Sequence, residues 1–127
     1  MAKQIINTDK APAPIGPYNQ AVKANGFLFV SGQAAVDFKT STFVLGTIEE
    51  ETIRTLDNIK AIIEAAGATM DDVVKCTVHL SDIKDFDRYN KVYASYFTGI
   101  KPARTTVQSV LAENIKVEID AIVKMPD

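Results

Sequence analysis

The chain has 127 residues, 46% hydrophobic and 24% charged, and its 14 Lys and Arg against 16 Asp and Glu give a formal charge of -2. That balance excludes a disordered or collagen-like chain and provides no general field for nucleic-acid phosphates. One cysteine, Cys76, and one histidine, His79, preclude an internal disulfide and leave too few soft ligands for zinc, so neither metal nor cofactor is expected. With no run near the roughly 18 apolar residues of a membrane span and no signal-type apolar core, the reading is one soluble, cytoplasmic domain over residues 1–127.

In chain order, KQIIN reads as a short strand. The following TDKAPAPIGPYNQ reads as an ordered loop, because its three prolines and one glycine break regular structure. AVKANGFLFVSG sets Asn25 and Gly26 between two apolar runs. That dipeptide supplies both positive φ values of a type I′ turn and predicts a hairpin. QAAVDFKTSTFVLG has no clear period and is expected to be loop with a short edge strand or turn.

Thr47 and Glu50 form a capping box and Gly67 a left-handed stop, predicting a helix from about 48 to 66. Its stripe of Ile53, Leu56, Ile59, Ile63 and Ala66 should be buried, with Arg54, Asp57, Lys60 and Glu64 toward water. VVKCTVHLS alternates Val74, Cys76, Val78 and Leu80 against Lys75, Thr77 and His79, a strand with one core face. A second helix, from about 83 to 97, has Ser81 or Asp82 as cap and Gly99 as stop. Its aromatic stripe of Phe86, Tyr89, Tyr93, Tyr96 and Phe97 reads as core.

ARTTVQSVL and IKVEIDAIVK, separated by AEN, read as a closing hairpin. The order of elements gives an α+β fold, a mixed β-sheet with two helices on one face. In the hairpin reading Arg104, Thr106 and Gln108 share the polar face with Lys116, Glu118, Asp120 and Ile122. Val107, Val117, Ile119, Ala121 and Val123 turn to the helices. Thr106 then lies opposite Asp120, and Arg104 is its diagonal neighbour, about 7 Å away between Cβ atoms. Spacing alone favours a surface ion pair over a carboxylate clamp mounted behind Pro102.

The stretches APAPIGPYNQAV, FVSGQ, IEEETIRTLDNIKAIIEAAG, YNKVYASYF, KPARTTV and VEIDAI follow one another across nearly the whole chain. In that order they resemble the Rid (YjgF/YER057c/UK114) family of reactive imine and enamine deaminases. The resemblance implies a fold similar to trimeric chorismate mutase, a homotrimer with helices outside, and active clefts between subunits. It also implies hydrolysis, without a cofactor, of the imines of 2-aminoacrylate and 2-aminocrotonate to 2-oxo acids and ammonia.

Carried over by position, Arg104 grips the substrate carboxylate, Tyr18 lines the pocket, and Ser31 and Gly32 lie beside the ligand, with Asn90 near the cleft. Asp120 stands where the family usually has a glutamate that positions water, one methylene shorter. Thr106, at a position often Cys or Ala, is expected to hold a water bridging to Asp120. Cys76 as nucleophile and His79 as base are disfavoured by their strand positions. Two other readings stay open: a non-catalytic trimer that binds 2-oxo acids, and a single-stranded RNA endonuclease, against which the acidic balance and single histidine argue.

Overall fold

The computed structural model describes residues 2–127. β1 (Gln4–Ile6), β2 (Ala21–Ala24) and β3 (Phe27–Gln33) form an antiparallel meander. The turn between β2 and β3 is built on Asn25 at φ 54° and Gly26 at φ 82°, as the type I′ expectation requires. The aperiodic segment that follows contains a two-stranded ribbon, β4 (Val36–Asp37) and β5 (Thr42–Phe43). Next come α1 (Ile48–Ala65), β6 (Val73–Leu80), α2 (Phe86–Tyr96), β7 (Ala103–Gln108) and β8 (Val117–Lys124). A short 3-10 turn, Ile83–Asp85, leads into α2, and Asp82 caps that turn by accepting from the Lys84 amide at 2.9 Å.

The main sheet has the order β1-β2-β3-β8-β6-β7, mixed because β6 and β7 run parallel while the other pairs are antiparallel. Both helices cover one face. Leu56, Ile59, Ile62 and Ile63 of α1 and Tyr89 and Tyr93 of α2 pack with Leu28, Val30, Cys76, Val78, Leu80, Ile119 and Ala121. The other face of β8 and β6, bearing Glu118, Asp120, Thr77 and His79, is only half-buried. Among the described residues no helix is long and apolar enough to cross a membrane.

The closing hairpin is overturned. β8 inserts between β3 and β6, and β7 pairs only with β6, in the register Cys76↔Arg104 and Val78↔Thr106. The strand-helix-strand unit β6-α2-β7 returns the chain parallel to β6, as a helical crossover does. This also inverts the faces expected for β7. Arg104 and Thr106 turn toward α2, as their contacts below show, and Val107 is exposed.

Two smaller expectations change. Val73, not Val74, enters the core, because the β6–β8 register shifts between Val73 and Lys75. On α1, Ile53 is exposed and Ile62 takes a buried place, together with the polar Glu51, Thr52, Thr55 and Asn58. Each of three buried polar groups has a structural use. Thr52 Oγ1 donates to the Ile48 carbonyl at 2.7 Å, and Asn58 Nδ2 donates to the Ala34 and Val36 carbonyls. Glu51, fully buried, accepts from the Lys116 amide at 2.9 Å, from Lys116 Nζ at 3.0 Å and from the Gly46 amide at 3.1 Å. It thereby clamps the start of β8 to the first turn of α1. The predicted capping box of Thr47 and Glu50 is present.

Candidate active site

The proline-rich loop before β2 is held by one buried amide. Gln20 Nε2 donates to the carbonyls of Thr8, Ala11 and Pro12 at 2.9, 3.2 and 2.9 Å, and Gln20 Oε1 accepts from the Thr8 amide at 2.6 Å. A network of this kind makes a loop without regular structure specific in shape. It presents Tyr18, which is 46% exposed and whose hydroxyl accepts from the Ile15 amide at 3.4 Å. Ser31 ties the end of β3 to the same loop, donating from Oγ to the Asn19 carbonyl at 2.6 Å.

At Gly32 a methyl group would lie 2.9 Å from Glu118 Oε2, so the missing side chain is what lets the Glu118 carboxylate fold over β3. Tyr18, Gly32 and Glu118 share a cavity of about 180 Å³ with Ile15 and Phe43. Asp120 lies two residues beyond Glu118 on the same open face, opposite Thr77, and makes no ion pair among the described residues.

Arg104 belongs to a different place. Its guanidinium carbon sits 4.8 Å from the Tyr93 ring centroid and 5.5 Å from those of Phe86 and Tyr89, while Nη1 donates to Asn90 Oδ1 at 2.7 Å. Among the described residues it makes no ion pair. The group therefore keeps its full charge and most of its five N–H donors. Asn90, Tyr93, Phe97, Lys101, Pro102 and Arg104 line a cavity of about 390 Å³, in which Lys101 Nζ donates to the Phe97 carbonyl at 2.8 Å. A wider groove of about 760 Å³ between α1 and α2 holds none of the expected site residues.

Behind Arg104, Cys76 is buried, and desolvation pushes its thiol up to about 11 despite the neighbouring Tyr93 and Arg104. Burial, and then the Cys76 neighbour, raise the Tyr93 phenol far above its ordinary value. Cys76 is thus a core group, as its alternation implied. His79 points to the open face, where Nδ1 lies 2.8 Å from Ser109 Oγ. Among the described residues no three His, Cys, Asp or Glu side chains gather in a way that would hold a metal.

Within one chain the expected residues therefore fall into separate groups. Arg104 and Asn90 come together. Tyr18, Ser31 and Gly32 come together near the β3 end, beside Glu118. Three strand spacings separate β3 from β7, about 14 Å. Thr106 does not adjoin Asp120. Its strand is separated from β8 by β6, and its Oγ1 lies 2.8 Å from the Tyr89 hydroxyl under α2, so the expected water bridge is geometrically closed within a chain. Likewise Arg104 and Asp120 are not diagonal neighbours.

Sequence reasoning passed over the rings around Arg104 and the Glu118 carboxylate. Signals for both were present. The stripe Phe86, Tyr89, Tyr93 flanks Asn90 on α2, and Glu118 shares the period-two face of Asp120.

The family model described as Endoribonuclease L-PSP matches residues 8–125. A RutC family protein of Saccharolobus solfataricus is 54% identical, with 94% of this chain and 96% of that protein covered. Reactive Intermediate Deaminase A of the Arabidopsis thaliana chloroplast is 43% identical over 94% of this chain and 65% of its own length. Among solved structures, E. coli TdcF with bound serine superposes with a TM-score of 0.91 at 35% identity, covering 97% of this chain and 99% of that one. A family-model match over residues 8–125, relatives of 43–54% identity along nearly all of this chain and a superposition covering 97% of it place this chain in the Endoribonuclease L-PSP family, the group of the RutC and Rid proteins that includes reactive intermediate deaminases.

Proposed function

We propose that this protein hydrolyses small reactive 2-imino acids, the tautomers of 2-aminoacrylate and 2-aminocrotonate, to 2-oxo acids and ammonia in a homotrimer. The observation that carries the reading is Arg104, a half-buried guanidinium held by three aromatic rings and one amide oxygen, with no carboxylate paired to it among the described residues. Neutral partners fix the fork without cancelling its charge, which suits bidentate capture of a substrate carboxylate. The name of the Arabidopsis relative, a reactive intermediate deaminase, supports the substrate class.

The separation of the groups supports a cleft completed by a second chain, as the proposed trimer would supply. A three- or four-carbon acid cannot span about 14 Å between β3 and β7. Among the described residues the outer edge of β7 has no strand partner and is open to a second copy, and in the proposed trimer Tyr18, Ser31 and Gly32, or Asp120, of one chain complete the cleft at the Arg104 of another. Arg104 and Asn90 then bind and orient the carboxylate of the substrate. A water positioned by Asp120 or Tyr18 attacks the imine carbon, the electron pair of the C=N bond passes to the protonated nitrogen, and one proton of the attacking water is relayed to that nitrogen. The carbinolamine, now bearing a protonated amine, loses its remaining hydroxyl proton to solvent and expels ammonia, leaving the ketone. Thr106 serves the binding side of this cleft by holding the Tyr89 hydroxyl beneath Arg104.

The test couples a pyridoxal-phosphate-dependent dehydratase, as the source of imine, to the appearance of 2-oxo acid. Arg104→Ala is expected to abolish the acceleration. Asp120→Glu, which restores one methylene of reach, is expected to raise it; a displacement of about 1 Å at a positioning group changes rates on the order of 100-fold. Binding of 2-oxobutanoate without any acceleration by the wild type would replace the enzyme with a 2-oxo acid binding protein. RNA cleavage that persists in Arg104→Ala after rigorous repurification would favour the activity named by the family description.

A further inference from the structure

Phe86, Tyr89, Tyr93 and Phe97 form a ladder along α2 with successive centroid separations of 5.6, 5.9 and 4.7 Å. Three of the four also face the guanidinium, and Tyr93 is the nearest. Tyr89 is fixed by its contact with Thr106, and the buried Tyr93 hydroxyl, with only the Cys76 thiol beside it, makes no hydrogen bond of good geometry. A buried phenol without a good hydrogen bond is retained at a cost, so the packing value of its ring must outweigh the hydroxyl.

We infer that Tyr93, flanked by Phe86 and Tyr89, is a positioning residue that sets the plane of the Arg104 guanidinium and thereby the affinity for carboxylate ligands. This rests on the reading of Arg104 as the carboxylate clamp. A free arginine loses the freedom of several rotatable bonds on binding, and a cation stacked on rings has already lost it before the ligand arrives. Rings do this without competing for the ligand, whereas an acidic partner would compete. Asn90 fixes one edge of the fork, and Tyr93 fixes its face.

The inference separates ring from hydroxyl and position from charge. In the full-length protein, calorimetry with 2-oxobutanoate is combined with the NMR resonance of the Arg104 Nε–H, assigned by its loss in Arg104→Lys. Ring currents place that resonance away from the position of free arginine. Tyr93→Leu is expected to move it toward the free position and to weaken 2-oxobutanoate about tenfold, the scale of a partly desolvated cation–π contact. Tyr93→Phe, which keeps the ring, is expected to rescue both.

Phe86→Leu, at a half-buried ring, reads out the same device with a smaller shift and loss if Tyr93→Leu does not fold. An unmoved resonance in Tyr93→Leu, or a moved resonance with unchanged affinity, overturns the inference. Failure of the underlying reading shows differently: Arg104→Ala would bind 2-oxobutanoate as tightly as wild type, while Tyr93→Leu still moved the Arg104 resonance.

Discussion

Replacing Glu51 by alanine removes the one carboxylate that joins α1, the loop before it and the first residues of β8. Its side chain is fully buried and takes three hydrogen bonds, two from backbone amides and one from Lys116 Nζ. In Glu51→Ala the amides of Gly46 and Lys116 lose their acceptor, each costing about 1–3 kcal/mol. The Lys116 side chain is 37% exposed, so its ammonium returns to water at little cost and adds almost nothing. The two amides together give a loss of about 2–6 kcal/mol.

For a chain of this length each kcal/mol shifts Tm by roughly 4 °C, so a fall of about 8–24 °C is expected. Glu51→Gln keeps an acceptor for one amide and should lose about 1–3 kcal/mol. Urea unfolding followed by circular dichroism, at one fixed protein concentration, measures both. The clamp also predicts that exchange of the Lys116 amide accelerates in both variants before global unfolding does. A Glu51→Ala protein within about 1 kcal/mol of wild type, with Lys116 still protected, would refute the assignment of this carboxylate as the anchor of β8.

The buried Cys76 thiol, raised from 9.0 to about 11, favours the neutral form in the folded state. Its contribution is complete below pH 9 and is lost as the pH rises through 11, a decline of about 2–3 kcal/mol. Cys76→Ala should flatten that part of the stability curve, and a thiol reagent at pH 8 should label Cys76 only after unfolding. At Gly32 an added methyl meets only the mobile end of Glu118. Gly32→Ala should therefore cost less than about 1 kcal/mol in urea unfolding yet slow imine hydrolysis, and Glu118→Ala in the same chain should restore part of the rate.

Much of the architecture is legible locally. The capping box at Thr47, the turn at Asn25-Gly26 and the alternation through Cys76, Val78 and Leu80 each contain their own physical cause within a few residues. The elements come out in order, and so does the single helical layer. The site is less legible, because its residues are apart in one chain and the family resemblance, not the spacing, singled out Arg104 and Tyr18. Glu118 and the aromatic cradle escaped because an acidic residue on a polar face and a stripe on a helix both have ordinary readings. Only proximity to Gly32 and to the guanidinium gives them another.

Both helices, most of the strands and the apolar face of the sheet follow from caps, turns and period, which act over a few residues. Strand neighbours follow from contacts that no local segment contains. Two adjacent strand-like segments near the end of the chain look like a hairpin, yet β7 closes on β6 through α2, and β8 passes between β6 and β3. Pairing is a nonlocal property, set by which arrangement buries Val117, Ile119, Ala121 and Val123 between two neighbours. That choice also turned Arg104 from the open face to the aromatic rings of α2. An edge strand with weak alternation, ARTTVQ, has no local signal strong enough to fix its own face.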